Sequence, residues 1–157
     1  MEKRIMMTHA EKEENMSNKR IGFFLLLITF LVGNLFAGEN IGFTLEVTGI
    51  SANQGHVHVK IYSTDRDYRN DIPYASYTIE SNNQLIIHTF DIIEGEYLIA
   101  LFQDTNNNGV LDTNFLGFPR EPVGLSNYTS GIPGGFNRHK IQINNNSNRI
   151  LINIRRI

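Results

Sequence analysis

The clearest chemical pattern in the chain is a short acidic run, Asp104-Thr-Asn-Asn-Asn-Gly-Val-Leu-Asp112. Side-chain oxygens fall at its positions 1, 3, 5 and 9, and glycine stands at position 6. In a tight loop the alternate side chains turn toward one point, and glycine permits the sharp bend that brings them together. Position 7 can add a backbone carbonyl. The spacing therefore predicts a calcium site, whose ligands would be Asp104, Asn106, Asn108, Val110 and Asp112.

This run departs from the calcium loop of an EF-hand in two ways. Position 12, where an EF-hand has a bidentate glutamate, is Phe115, and the flanking segments have the pattern of strands rather than helices. We therefore expect a calcium loop between strands, with Asp112 or Asn114 supplying the missing oxygens. Two carboxylates predict weak binding, with a Kd on the order of 10⁻⁴–10⁻³ M.

Two other interpretations of the same run stay open. Asn108-Gly109 between two strands is a hairpin signal that needs no metal. Asp104 and Asp112 could also form the carboxylate pair of a glycosidase. A loop rich in carboxamides suits a cation better than it suits an acid with a raised pKa, which would need apolar burial.

The histidines and one serine give weaker signals. His56 and His58 share one strand face, where they could bind a transition metal, but a solvent-exposed face explains them as well. Ser126 stands in Gly-Leu-Ser-Asn, which is not a nucleophile elbow, and His139 follows 13 residues later. We therefore predict no catalytic residues.

The elements that must position the acidic run are strands, because apolar and polar residues alternate through most of the chain after residue 40. The predicted strands cover 43–48, 56–61, 74–80, 85–92, 96–103, 141–143 and 150–155. The only helical signal is a short one around 66–76. Short strands separated by turns predict an all-β fold, an antiparallel β-sandwich or barrel of seven to eight strands.

The segment 113–137 interrupts this regular pattern. It holds three of the four prolines and five glycines, and a loop of this length is usually functional or ordered by something bound. It also carries Phe115, Phe118, Tyr128 and Phe136. We expect these rings to close one end of the sandwich; a recognition surface is the alternative.

The N-terminal region has the layout of an export signal. Two basic residues, Lys19 and Arg20, precede an apolar run at 21–36 and the small residue Ala37. This order predicts a signal peptide over 16–37 cleaved after Ala37. Residues 1–15 are expected to be a misassigned extension, and 38–157 a single domain that is periplasmic or secreted. An uncleaved anchor is the alternative, although a run of 16 residues is shorter than the ~20 of a spanning helix.

Composition excludes several classes of protein. The 157 residues are 41% hydrophobic and 19% charged, and they include no cysteine, which excludes a disordered chain, a disulfide scaffold, a zinc-thiolate site and a cysteine nucleophile. Residues 38–157 hold 9 basic and 12 acidic side chains, a net charge of −3. We therefore expect no nucleic-acid partner and, after signal cleavage, no stable membrane span.

The stretch from Gly95 to Asn127, GEYLIALFQDTNNNGVLDTNFLGFPREPVGLSN, resembles a family of exported bacterial proteins known as a domain of unknown function, DUF2141. The resemblance covers about residues 41–157. The family usually has histidine where this chain has Gln103, and glycine where it has Pro122, and the first departure weakens the idea of a histidine ligand or base there. The resemblance implies an exported β-sandwich similar to immunoglobulin-like, transthyretin-like or carboxypeptidase-regulatory domains, and it implies no established activity.

These observations together predict an exported, non-enzymatic β-sandwich whose acidic loop is ordered by calcium and presents a surface to a protein or glycan partner. The alternatives are a hydrolase or carbohydrate-active enzyme that uses the acidic loop, and a structural accessory domain without a ligand.

Overall fold

A computed structural model describes residues 40–131 and 133–157. The predicted extension and signal peptide lie outside the described residues. The strands are β1 (Asn40–Thr48), β2 (His56–Tyr62), β3 (Ala75–Glu80), β4 (Ile86–Ile93), β5 (Gly95–Asp104), β6 (Val123–Leu125), β7 (Ile141–Ile143) and β8 (Arg149–Asn153), and the helices are α1 (Asp65–Arg69) and α2 (Phe136–His139). No helix in these two ranges is long and apolar enough to cross a membrane.

The strands form two sheets. One has the order β4-β1-β8, and the other has the order β3-β2-β5-β6, with β7 also paired to β5. The prediction of an all-β sandwich with seven to eight strands is confirmed. One pair differs from the antiparallel expectation, because β1 and β8 run parallel with Thr44 opposite Arg149. The two strands lie far apart in the chain, so no hairpin dictates their relative direction.

The alternating pattern places one face of each strand in the core. Leu45, Val59 and Ile99 come from three different strands and each has no exposed surface. At the inward position of β6, Gly124 allows the sheets to approach closely: a Cβ there would lie 2.9 Å from the Cγ2 atoms of Ile152 and Ile154. The sandwich core therefore forms as the period-two pattern predicts.

The C-terminal segment closes one side of the sandwich. After β8, the N–H of Ile154 donates to the carbonyl of Thr48 in the first sheet. The next residue, Arg155, exchanges two backbone hydrogen bonds of 2.9 Å with Val123 in the second sheet. The residues that directly follow β8 therefore form backbone hydrogen bonds with both sheets.

A second apolar cluster covers the outer face of the five-stranded sheet. Tyr62 and Leu98 point outward there and pack against Phe136 of α2, with Tyr68 of α1 at the margin. Helix α1 begins at an N-cap, Thr64, whose hydroxyl accepts the N–H of Asp67, and it ends at Arg69. The helix is thus shorter than the predicted 66–76. The segment 113–137, predicted as a loop, contains β6 and the first residues of α2.

Candidate functional site

The acidic run leaves the end of β5, and its first residue is buried. Asp104 is 1% exposed, and its carboxylate accepts hydrogen bonds from the backbone N–H groups of Gly109 at 2.7 Å and Asn108 at 3.2 Å. Gly109 has a φ of +79°, a left-handed conformation that glycine adopts without strain. The bend predicted at Gly109 therefore wraps the loop around the Asp104 carboxylate.

The other predicted ligand side chains join the same hydrogen-bond network. Asn106 Oδ1 accepts the Asn108 N–H at 3.1 Å, so Asp104 and Asn106 share one donor. The side-chain amides of Asn106 and Asn108 both donate to Asp112 Oδ2, at 2.7 and 3.2 Å. Asn108 Oδ1 accepts the N–H of Val110, whose side chain is 58% exposed. The structure thus brings the side chains at positions 1, 3, 5 and 9 into one cluster.

A residue without a predicted role, Glu121, ties the two ends of the loop together. It is 3% exposed, and its Oε1 accepts the Thr105 N–H at 2.9 Å while its Oε2 accepts the Asp112 N–H at 3.2 Å. A usable signal was present in the sequence, because Glu121 is the only acidic residue in 113–137. Buried carboxylates are rare unless they are paired or hydrogen-bonded.

The histidines of β2 contact the acidic loop. The sequence pattern alone is explained by a solvent-exposed strand face and does not predict these contacts. His58 Nε2 lies 3.4 Å from Asp104 Oδ2, and its ring stacks on Phe102 with centroids 4.8 Å apart. His56 Nδ1 lies 2.7 Å from Asn107 Oδ1. The pairing of β2 with β5 explains both contacts, because it sets His56 directly opposite Asp104.

The electrostatic environment keeps Asp104 charged. Burial raises the pKa of its carboxyl, but hydrogen bonds from the backbone of Gly109, Asn108 and Asn107, and one from His58, lower the pKa further than burial raises it. The pKa of Asp104 therefore lies below its ordinary value of 3.8. A general acid needs the opposite shift, whereas a cation ligand needs the charged form.

The donor set fits a hard cation. Carboxylate and carboxamide oxygens are the ligands of Ca²⁺ and Mg²⁺, and Asp104 and Asp112 supply the negative charge. The amide groups of Asn106 and Asn108 present their nitrogens to Asp112, so their oxygens would have to rotate toward a bound ion. Within 40–131 and 133–157, no group of three or more His, Cys, Asp or Glu side chains is arranged to hold a metal ion.

Beyond the acidic run, a tight turn displays two apolar side chains. Asn114 Oδ1 accepts the N–H groups of Leu116 at 2.9 Å and Phe118 at 3.1 Å, so this oxygen caps the turn. Phe115 is 94% exposed and Leu116 is 65% exposed. The expectation that the rings of this segment close one end of the sandwich is therefore wrong for Phe115. Phe118 is half exposed, and Phe136 is buried against the outer face of the sheet rather than at an end.

The side chain of Gln103 points away from the acidic loop. It is fully buried, donates to the carbonyls of Ser51 and Gln54 at 2.8 and 2.7 Å, and accepts the Ser51 N–H at 3.0 Å. This position supports the turn between β1 and β2. The Gln103 side chain therefore contacts the turn between β1 and β2 and not the cluster around Asp104.

Ser126 and His139 contact each other through backbone atoms. Ser126 Oγ donates to the His139 carbonyl at 2.6 Å and accepts the Ile99 N–H at 3.0 Å. The Gly134 N–H donates to His139 Nε2 at 2.9 Å, so Nδ1 carries the proton toward the Ser126 carbonyl at 3.2 Å. Both side chains are buried and bonded in this way, an arrangement that stabilises the packing of α2 beside β5 and β6.

The fold and the site define a class of protein, an all-β sandwich domain that carries an acidic, glycine-bent loop at the end of a central strand. A family model described as an uncharacterized protein conserved in bacteria (DUF2141) matches residues 45–151, so the chain belongs to that family. Comparison with curated proteins found no match, and comparison with solved structures found none either.

Proposed function

We propose that this protein is an exported, non-enzymatic binding domain whose acidic loop is ordered by calcium and holds an apolar tip toward a partner. The observation that carries the proposal is the single network that joins Asp104, Asn106, Asn108 and Asp112. A bare turn at Asn108-Gly109 needs none of these side-chain oxygens to converge.

Calcium would act on the loop by mass action. Rotation of the two asparagine amides would turn their oxygens inward, and the ion would replace the hydrogen bonds that Asp112 now accepts. With calcium at a millimolar concentration and a Kd near 0.1 mM, the stabilisation RT ln(1 + [L]/Kd) is about 1.4 kcal/mol. This amount orders a loop but does not decide whether the domain folds.

The exposed tip supports the binding role. Phe115 and Leu116 stand on a turn whose backbone is hydrogen-bonded through Asn114, so the apolar pair is held in place before any partner arrives. Exposed apolar groups that are held rigidly cost little further entropy when they are buried in an interface. The partner class that fits such a tip is a protein or a glycan with an apolar face.

Export is supported by the sequence alone. The basic, apolar and small segments before residue 38 follow the signal-peptide order, and a chain without cysteine needs no disulfide chemistry in an oxidising compartment. The proposed location is the periplasm or the exterior of a bacterial cell.

A calcium titration by calorimetry, with a parallel thermal melt, tests the proposal. We expect heat of binding with a Kd on the order of 10⁻⁴–10⁻³ M and a rise in Tm, both lost in Asp112→Asn. Asp91→Asn is the matched control, because Asp91 is an exposed carboxylate on β4 outside the loop. Absence of heat and of a Tm shift at several millimolar calcium would leave a structural accessory domain as the better description.

The alternative of a hydrolase that uses Asp104 and Asp112 has less support in the geometry. The pKa of Asp104 is shifted downward by its hydrogen bonds, and the Asp112 carboxylate accepts two amide donors. The Asp104 carboxylate is thus stabilised in the charged form rather than held as a proton donor.

A further inference from the structure

A groove crosses the outer face of the five-stranded sheet, with a volume of about 720 Å³. One wall is formed by Val110 and Leu111 of the acidic run and by Phe118 of the turn that follows it. The other side is formed by Tyr68 of α1 and by Asp71. This volume lies within the range of small-molecule sites, roughly 300–1,000 Å³.

A small residue creates the depression. Ala100 on β5 is opposite Lys60 on β2 and Leu125 on β6, so the three form one row across the sheet. The next row on one side carries His58 and Phe102, whose rings are stacked. Because alanine ends at Cβ, the surface of the sheet at Ala100 lies lower than at the rings beside it.

The polar part of the groove is an ion pair with an extra donor. Lys60 Nζ donates to both carboxylate oxygens of Asp71, at 2.8 and 2.6 Å, and the Tyr62 hydroxyl donates to Asp71 Oδ1 at 2.5 Å. Burial raises the pKa of the Asp71 carboxyl, but these hydrogen bonds lower it further. Burial, and the hydrogen bond to Asp71, raise the pKa of Tyr62 well above its ordinary value, so the hydroxyl stays a donor.

The pairing of these charges indicates which ligands suit the groove. A fatty acid would need an uncompensated cation, and the ammonium of Lys60 is already matched by Asp71. A cationic amphiphile would need a free carboxylate, which Asp71 does not provide. A sugar would need polar partners on several sides, whereas most side chains around the groove are apolar.

We propose that the groove binds an uncharged acyl amphiphile such as a monoacylglycerol, with its acyl chain over Ala100 and Leu125 and its hydroxyl head at the Lys60–Asp71 pair. One N–H of the Lys60 ammonium and lone pairs of the Asp71 carboxylate remain for a head group that both donates and accepts. The inference goes beyond the binding role proposed above, because it adds a ligand of a different class at a different surface, and it rests neither on the exposed tip nor on calcium.

The test uses protein purified from cells that express the full chain and the uncharged fluorescent probe N-phenyl-1-naphthylamine. Bound probe is displaced with 1-lauroylglycerol, laurate or dodecylamine, each below its micelle concentration. We expect 1-lauroylglycerol to displace the probe at a concentration at least about tenfold lower than either charged ligand, a difference of about 1.4 kcal/mol. Equal or stronger displacement by laurate or dodecylamine would overturn the proposal.

Two variants locate the site. Ala100→Phe should fill the groove and reduce probe and lauroylglycerol binding at least tenfold, while Thr89→Phe, an exposed position on the outer face of the other sheet, should leave binding unchanged. Asp71→Asn should free the Lys60 ammonium and shift the preference toward laurate, which keeps the proposal falsifiable even if Ala100→Phe does not fold. Unchanged binding in a folded Ala100→Phe variant, or no shift in Asp71→Asn, would contradict it.

Calcium calorimetry on the wild-type chain, run beside the displacement assay, separates this proposal from the previous one. If the groove proposal fails, the wild-type chain still binds calcium but does not prefer the uncharged amphiphile. If the calcium proposal fails, the heat of calcium binding is absent while the preference among the three amphiphiles remains.

Discussion

The buried carboxylate of Glu121 accepts the backbone N–H of Asp112, the last predicted ligand of the acidic loop, at 3.2 Å. Its other oxygen accepts the N–H of Thr105 at the opposite end of the loop. This side chain therefore links the two ends of the cluster, and the first prediction concerns it.

Replacement of Glu121 by Gln should destabilise the domain by about 1–3 kcal/mol, because one of the two backbone donors would face an amide NH₂ instead of an oxygen. Calcium binding should weaken in the same variant, since the loop ends would no longer be held together. Urea unfolding and calorimetry measure the two effects. Glu94→Gln, an exposed position between β4 and β5, is the control and should change neither; equal behaviour of the two variants would contradict the role of Glu121.

The charged state of Asp104 predicts a dependence of stability on pH. The pKa of Asp104 lies below its ordinary value of 3.8 in the folded protein, so the folded state releases this proton more readily than the unfolded state. The stabilisation is present above pH 3.8 and is lost as the pH falls through the folded pKa. Urea unfolding measured at pH 7 and at successively lower pH should show a steeper loss of unfolding free energy for wild type than for Asp104→Asn. Asp91→Asn should retain the wild-type slope, and identical slopes in all three proteins would refute the assignment.

Substitution of His88 by an apolar residue should stabilise the domain. Among the described residues, His88 Nε2 is a buried side-chain nitrogen that has no hydrogen-bond partner. The ring contacts Tyr77 and Phe90 at centroid distances of 4.9 and 5.9 Å. His88→Phe should raise the free energy of unfolding by about 1 kcal/mol, because the desolvated nitrogen is replaced by an apolar edge. His56→Phe, which removes the contact with Asn107, should give no gain in the same urea titration. A loss of stability in His88→Phe would contradict this prediction.

The close approach of the sheets at Gly124 predicts a cost for the smallest side chain. In Gly124→Ala the new Cβ would lie 2.9 Å from the Cγ2 atoms of Ile152 and Ile154, so these branched side chains would have to shift. We expect a loss of about 1–3 kcal/mol, as is typical of overpacked cores. Gly42→Ala on β1 is the matched control, because the nearest atom to its new Cβ, on Asp91, is 4.0 Å away. Thermal unfolding measures both, and similar Tm values would contradict the close packing at β6.

Local sequence pattern determined the parts of the structure that depend on neighbouring residues. Alternation identified the strands that carry Leu45, Val59 and Ile99, because the side-chain period of a strand is set by its own backbone. The convergence of Asp104 with Asp112 was also readable, because nine residues bent at one glycine cannot spread far apart. The family resemblance between Gly95 and Asn127 rested on the same contiguous stretch.

Strand pairing decided the rest. Alternation states which face a side chain occupies but not which strand lies beside it, so the contact of His58 with Asp104 and the row from Lys60 to Leu125 depended on register between distant segments. Glu121 reached the loop for the same reason, through its position just before β6. The parallel direction of β1 and β8 likewise depended on how the two ends of the domain pack together. A backbone hydrogen bond has the same energy whether its partners are near or far apart in the chain, so local sequence pattern could not predict this pairing.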